Sequence, residues 1–311
     1  VNLFIIGTRG SKLARAQAGL FREMVSRSYP LMQIELKIIA TRGDALKEKP
    51  SRGVNEKNLF TKELEDALLH GEIDVAVHSG KDLASKIPPG LVIGAVLQRG
   101  DRSDAFCSIK FEKFNLLPQG ATIGTSSIRR KAQLLLQRPD LRIESLRGNV
   151  DTRLRSLAEG KFDALILATC GLERLGLENA IRERFSPKSF LPAPAQGAIV
   201  AQYRSDRDDV VRILKSVSDD TSFCEVKAER ALLERLEAGC WVPLGASAEV
   251  TGKRLALTAG LFSPTGERSV IRRLEGDITD PVSLGWEMAK VLIREGGQQI
   301  LDELRNVGDD T

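Results

Sequence analysis

The chain has 311 residues, 42% of them apolar and 28% charged, and a formal net charge of +4. That length supplies hydrophobic core for two or three domains, and the composition belongs to an ordinary globular protein rather than a disordered or fibrous one. So mild a balance, with few aromatics and no Lys/Arg-rich tract, gives no ground for a nucleic-acid binder, and no run approaches the roughly 18 apolar residues of a membrane span.

Val1–Ile6 reads as a strand, and Ser11 as the N-cap of a helix through Ser28 that stops before Tyr29-Pro30. No basic segment followed by an apolar stretch and cleavage site opens this sequence. The four cysteines, Cys107, Cys170, Cys224 and Cys240, show neither CxxC pairing nor zinc spacing. A cytoplasmic location and no metal site are the expectation. Gln33–Ala40 is a second strand. Residues 42–58 are rich in charge, Gly and Pro, a long loop of the functional or disordered kind, with Lys57 at its far end.

A helix from Thr61 to Leu69 leads into Ile73–Val77, a short apolar run read as a buried parallel strand. It continues as His78-Ser79-Gly80-Lys81-Asp82. An Asp beside a Lys at the carboxyl end of a central strand is placed for acid–base or electrostatic work. The alternative is an Asp that caps the turn before Ile87-Pro88-Pro89. Only two histidines are present, so no Ser/His/Asp set assembles, and His78 reads as a packed turn residue.

Leu91–Val96 is a further strand, and Arg99–Asp104 a polar crossover. Thr122-Ile123 ends another strand, followed by Gly124-Thr125-Ser126-Ser127 and a helical pattern that carries Arg129 and Arg130 in its first turn. Hydroxyls and free N–H groups at a helix start favour an anion, and Arg is the fork that grips carboxylate or phosphate. Arg147 and Arg153 follow at the next strand end and helix, Leu141–Ser145 and Asn149–Leu157. A solvated basic face is the alternative for any one of these arginines. Four arginines and three hydroxyls at strand ends favour a site. Asp163–Ala168 is a third strand, followed by a turn and short helix with Gly171 and Arg174. A Pro-rich return, Leu191–Gly197, contains Gln196 and feeds Ala198–Tyr203, a strand that rejoins the first sheet.

Two parts of this text repeat. Ile6-Gly7-Thr8-Arg9-Gly10-Ser11 before Ala16-Gln17 matches Ile123–Ser127 before Ala132-Gln133. Thr41-Arg42-Gly43-Asp44 matches Leu146-Arg147-Gly148-Asn149, and Gly71–Val77 matches Gly160–Ile166, all in the same order. Two β-α-β-α-β units on one plan imply a cleft at the carboxyl ends of strands. Beyond Asp220 come a helix expected to end at Gly239, three alternating stretches (Ser247–Val250, Arg254–Phe262, Arg268–Leu274) and a helical region from Pro281 to Leu304. The expected fold is α/β: two hinged domains, 1–98 with 198–216 and 103–192, plus a small C-terminal α+β domain, 220–311.

The chain resembles the porphobilinogen deaminase (hydroxymethylbilane synthase) family along its whole length. The resemblance rests on Thr41–Asp44, Asp74–His78 with Lys81-Asp82, Gly124–Arg130, Ser145–Val150, Arg174-Leu175-Gly176, Gln196-Gly197-Ala198 and Glu237-Ala238-Gly239-Cys240. It implies two domains of periplasmic-binding-protein type and a transferase of tetrapyrrole and haem biosynthesis. Four porphobilinogen molecules would be joined stepwise on a dipyrromethane cofactor attached through Cys240. Asp82 and Lys81 would be catalytic. Thr125, Ser127, Arg129, Arg130, Arg147 and Gly171, with Lys81 and Asp82, would hold the cofactor. Arg9, Ser11, Lys57, Ser126, Arg147, Arg153, Arg174 and Gln196 would bind substrate. A cytoplasmic monomer without nucleic-acid or membrane partners is expected. The chain departs from the family in Asn55-Glu56-Lys57-Asn58 where glycines are usual. Gly80 stands in place of a larger apolar residue, Ala195 in place of glycine, and Trp241 in place of a smaller or polar residue. A non-catalytic oxyanion-binding protein of similar architecture is the competing reading.

Overall fold

The structure, a computed structural model, describes residues 3–41, 61–239 and 241–309, the side chains of 305–309 excepted. Lys57 and Cys240 lie outside the described residues. The chain divides into two compact units, Val1–Gly100 with Gly197–Val226, and Asp101–Gln196 with Lys227–Thr311.

In the first unit, five strands lie in the order Gln33–Ile39, Leu3–Arg9, Val75–Ser79, Ile199–Arg204, Leu91–Val96. The first three are parallel, and Ile199–Arg204 runs antiparallel to both its neighbours. Strand periodicity of two explains the core. Val75 and Val77 face the helix Lys12–Ser28 through Ala18, Phe21 and Val25, whereas Ala76 faces Leu64, Ala67 and Leu68 of the helix Lys62–Leu69. With both faces covered, Val75–Val77 is apolar on every residue, as a central parallel strand should be.

The second unit contains a sheet in the order Arg142–Glu144, Thr122–Gly124, Ala164–Ala168, Asp104–Cys107, Glu183–Arg184. Asp104–Cys107 is an interior strand, antiparallel to Ala164–Ala168. The crossover read through Asp104 therefore stops where that strand begins, and four residues are too few to display a period. A separate antiparallel sheet, Leu244–Thr251, Arg254–Phe262 and Ser269–Asp277, carries the helices Pro281–Leu292 and Gln298–Asp309. The chain kinks between those helices where Gly296 takes φ 109°. The helix Asp220–Arg235 ends earlier than Gly239. Ala238 N–H donates to Leu233 O and Glu237 N–H to Glu234 O, with Glu237 at φ 50° in the place that glycine commonly fills.

The repeat is visible atom for atom. Asp74 Oδ2 accepts from Ile5 N at 2.8 Å, while Asp74 N donates back to Ile5 O. Asp163 Oδ2 accepts from Thr122 N at 2.8 Å, and Asp163 N donates to Thr122 O. Ile6 pairs with Val75 as Ile123 pairs with Ala164. A Cβ on Gly7 would meet Ile73, and one on Gly124 would meet Leu165 and Phe162. In both units an aspartate fixes the register of two parallel strands and a glycine lets the next apolar side chain cross over the strand.

A different glycine brings helices together. A Cβ on Gly285 would lie 2.4 Å from Ala228 O and 2.8 Å from Leu232 N, backbone atoms that cannot move aside as a side-chain tip can. Helix propensity alone would make Gly285→Ala stabilising by about 1 kcal/mol. Overpacking of this kind costs about 1–3 kcal/mol, so the net sign should reverse. Thermal unfolding of Gly285→Ala should show a lower Tm than the parent; a higher Tm would mean that the two helices separate freely.

Candidate active site

In the first unit, Arg9 ends its strand and Ser11 caps the following helix, its Oγ accepting from Ala14 N at 3.2 Å. Val75–Ser79 runs into a tight turn, Gly80–Asp82, anchored by Gly80 N–H donating to Ala198 O at 2.9 Å. The result is an open depression lined by Arg9, Ser11, Gln17, Thr61, Ser79 and Asp82, among others. Asp82 is exposed there and Lys81 half-buried beside it. Behind them Gln17, 3% exposed, fixes Ser79 Oγ with both ends of its amide, at 2.9 and 3.0 Å. His78 belongs to the strand rather than to a turn. It is buried, with Nε2 3.2 Å from Gln202 Oε1.

In the second unit, Ser127 caps the helix Ile128–Gln137, its Oγ accepting from Arg130 N. Thr125 is buried, its Oγ1 accepting from Ser127 N at 3.2 Å. Ser126 ties two strand ends together, donating to Leu146 O and accepting from Leu146 N. Arg147 is exposed at the neighbouring strand end, and Arg153 Nε donates back to Gly148 O at 2.8 Å. Gly171 is buried in the short helix Thr169–Glu173. Half-buried Arg174 follows that helix, its pKa lowered by burial.

Arg129 and Arg130 are placed differently from a surface anion trap. Both are buried, and both grip Asp104, itself 0% exposed. Arg129 Nη1 lies 2.8 Å from Asp104 Oδ2, and Arg130 Nη2 and Nε lie 2.6 and 3.0 Å from Oδ1. The remaining Arg130 nitrogen donates to Ile166 O, and Arg129 Nη1 also donates to Leu191 O. Gln196, likewise 0% exposed, donates from Nε2 to Asp104 Oδ1 at 3.0 Å and to Arg102 O. Burial by itself pushes the Asp104 carboxyl upward, but the two guanidinium charges and their hydrogen bonds outweigh it and hold the group well below the usual carboxylate range. Two cations around one anion leave one net positive charge under the start of the helix Ile128–Gln137.

Sequence reading missed Asp104, which lay unremarked at the end of a polar stretch. It also missed Glu229, a fully buried carboxylate that accepts from Ala195 N at 2.6 Å and Ala248 N at 2.7 Å. Asp104 lies between Ser103 and Ala105 and Glu229 between Ala228 and Arg230, so neither carried a local signal. A dipyrromethane cofactor would need an accessible thiol and groups for its acetate and propionate chains. Cys107, Cys170 and Cys224 are buried, and burial pushes the Cys107 thiol up to about 12. None of these three suits attachment, and Cys240, to which the resemblance assigns it, lies outside the described residues. The Ser127 hydroxyl, which accepts from Arg130 N and keeps its proton to give, and the exposed Arg147 guanidinium fit carboxylates. The residues present therefore suit the group.

Residues 4–212 match the family described as porphobilinogen deaminase, dipyromethane cofactor binding domain, and residues 223–294 match the porphobilinogen deaminase C-terminal domain. The chain is 42% identical over 310 residues to porphobilinogen deaminase of Nitratidesulfovibrio vulgaris (strain DSM 19637 / Miyazaki F), covering 98% of each chain. It is 45% identical to that of Desulforudis audaxviator, covering 97% of each, and 40% identical to that of Thermus thermophilus, covering 98% of this chain and 100% of the other. A solved structure of the methionine-binding protein MetQ superposes with a TM-score of 0.46 at 14% identity, over 71% of this chain and 92% of that one.

The Asp104 cluster makes a direct prediction. Asp104→Asn keeps the shape but leaves two guanidiniums buried without their anion, a loss of about 3–5 kcal/mol. Because its folded-state pKa is depressed, Asp104 contributes stability that is fully present above the unfolded value of about 4. That contribution is lost as pH falls from there toward the folded value. Urea midpoints should therefore drop at neutral pH in Asp104→Asn, and the variant should lack this part of the parent's acid-side decline. Equal midpoints at neutral pH would show that the carboxylate is dispensable.

Proposed function

The chain belongs to the porphobilinogen deaminase family, and from that premise we propose how its residues share the stepwise assembly of hydroxymethylbilane from four porphobilinogen molecules. The activity is a transfer reaction of tetrapyrrole biosynthesis carried out with a dipyrromethane cofactor. The carrying observation is the depression in which exposed Asp82 shares a wall with Arg9 and Ser11. Porphobilinogen brings one acetate and one propionate. Arg9 and Ser11 hold such carboxylates, and Asp82 faces the pyrrole N–H. Loss of ammonia from the aminomethyl group leaves an electrophilic azafulvene whose positive charge reaches the pyrrole nitrogen. The Asp82 carboxylate stabilises that charge and takes up and returns the proton at Oδ. Lys81, on the same turn, offsets carboxylate charge.

When bound through Cys240, the dipyrromethane would supply the free pyrrole α-carbon that takes the first ring, each later ring joining the ring before it. Thr125, Ser127 and Arg147 hold its carboxylates, with backbone support at Gly171. Arg129 and Arg130 contribute from below: their pairing with Asp104 still leaves a net positive charge, which draws carboxylates to the helix start. Ser126, Arg153, Arg174, Lys57 and Gln196 serve the incoming rings, Gln196 by fixing Asp104. Repeated addition would otherwise accumulate uncompensated negative charge in a partly buried place. The enzyme works as a cytoplasmic monomer without nucleic acid or a membrane. The free thiols at Cys107, Cys170 and Cys224 support that reading, as does the lack, among the described residues, of a helix long and apolar enough to cross a membrane.

Cys240→Ser should have the bare-sequence mass and give no colour with Ehrlich's reagent, whereas the parent carries added mass and colour. An active parent of unmodified mass would refute attachment at this thiol. Asp82→Asn removes negative charge while keeping size, so cofactor content should persist. Its kcat should fall by about two to three orders of magnitude, the usual effect of losing one such electrostatic group. Near-parental turnover in a cofactor-loaded Asp82→Asn protein would overturn its role. No porphobilinogen consumption by the parent would restore the binding-protein reading.

A further inference from the structure

Thr61 directly precedes the helix Lys62–Leu69, where a threonine hydroxyl ordinarily accepts an N–H of the first turn. Here it makes no such bond, its backbone standing at φ −122° and ψ −25°. The residue is 1% exposed, and Oγ1 has no hydrogen-bond partner among the described residues. Buried hydroxyls are nearly always satisfied, so an exception calls for a physical reason. Its location supplies one. Thr61 lines the same depression as Arg9, Ser11, Ser79 and Asp82. The other small polar groups of that wall are engaged: Ser11 with Ala14 N, and Ser79 with Gln17.

We propose that Thr61 Oγ1 is a substrate-binding donor, giving its proton to a carboxylate oxygen of the porphobilinogen ring that Arg9 and Ser11 hold. This rests on the function proposed above. A carboxylate suits the place because the cation in the wall is Arg9 and the ligand's acceptors are its acetate and propionate. A β-branched side chain is stiff about χ1, so the hydroxyl is positioned before the ligand arrives. The free protein holds an unsatisfied group, and binding satisfies it.

The test compares purified holoenzymes of parent, Thr61→Val and Thr61→Ser with porphobilinogen as the probe. Val keeps the volume and removes the hydroxyl. A hydrogen bond to a charged acceptor is lost, so KM should rise about ten-fold or more, with kcat changed far less. A merely structural hydroxyl predicts the opposite pattern of stability. Because the cap bond is absent, Thr61→Val should unfold at or above the parental Tm even as KM rises. Thr61→Ser, which restores the donor, should return KM to within about two-fold of the parent. An active parent and Thr61→Val with equal KM values would overturn the inference while leaving the function intact. A raised KM accompanied by a lowered Tm, or left unrescued by Ser, would also overturn it. A parent that consumes no porphobilinogen would instead remove the function, and the inference with it.

Discussion

One carboxylate carries the architecture of the second unit. Asp104 opens an interior strand, and its two oxygens bind two guanidiniums from one helix turn and the amide of Gln196. Neither arginine is tolerable in that interior alone, because a charge stripped of water needs an opposite charge and hydrogen bonds to remain folded. Together they lock four pieces of chain: the strand Asp104–Cys107, the strand Ala164–Ala168 through Ile166 O, the helix Ile128–Gln137, and the return segment at Leu191 and Gln196. The arrangement also decides the electrostatics. A neutral pair would position the helix equally well but would not favour anions. Two cations on one anion do both.

The two repeated halves show one scaffold put to two uses. Each keeps the aspartate that joins neighbouring strands, the glycine that makes room for the next apolar side chain, the serine N-cap, and a buried glutamine six residues beyond it. What the glutamine does differs. Gln17 fixes Ser79, which stands at the approach to Lys81-Asp82. Gln133 binds the backbone of Leu191 through both its ends, at 2.9 and 2.7 Å. The shared residues preserve the strand geometry, and the partners of the glutamine set which segment is held against it.

Much of this was legible in the chain itself. The helix Lys12–Ser28 and the strand Val75–Ser79 follow from caps and apolar runs, because local propensity and tertiary burial agree there. The repeat exposed the plan of both sheets. Harder to read were elements whose meaning comes only from distant partners. Asp104–Cys107 is too short for a period, and Arg129 and Arg130 look like a basic helix face until Asp104 is placed beneath them. The C-terminal end of the helix Asp220–Arg235 was misjudged for a similar reason: Glu237 accepts a left-handed backbone that sequence reasoning gives to glycine. Residues at strand ends could be named as candidates; the buried carboxylates that hold other groups in place, Asp104 and Glu229, could not.

The departure at Ala195 follows the same logic. Its φ is 59°, a left-handed conformation that costs a residue with a Cβ about 1–2 kcal/mol. Among the family resemblances this is a place where glycine is common, and the backbone explains why. The conformation persists here because Ala195 N–H donates to the buried Glu229 carboxylate, a charge-assisted bond of about 1.5–3 kcal/mol that offsets the strain. Glu229 Oε1 meanwhile accepts from Ala248 N, so one side chain holds both the return segment and the strand Leu244–Thr251. The next residue after Ala195 is Gln196, whose amide reaches Asp104. Strain at one alanine, relieved by one glutamate, thus sets the direction of the side chain that completes the arginine cluster.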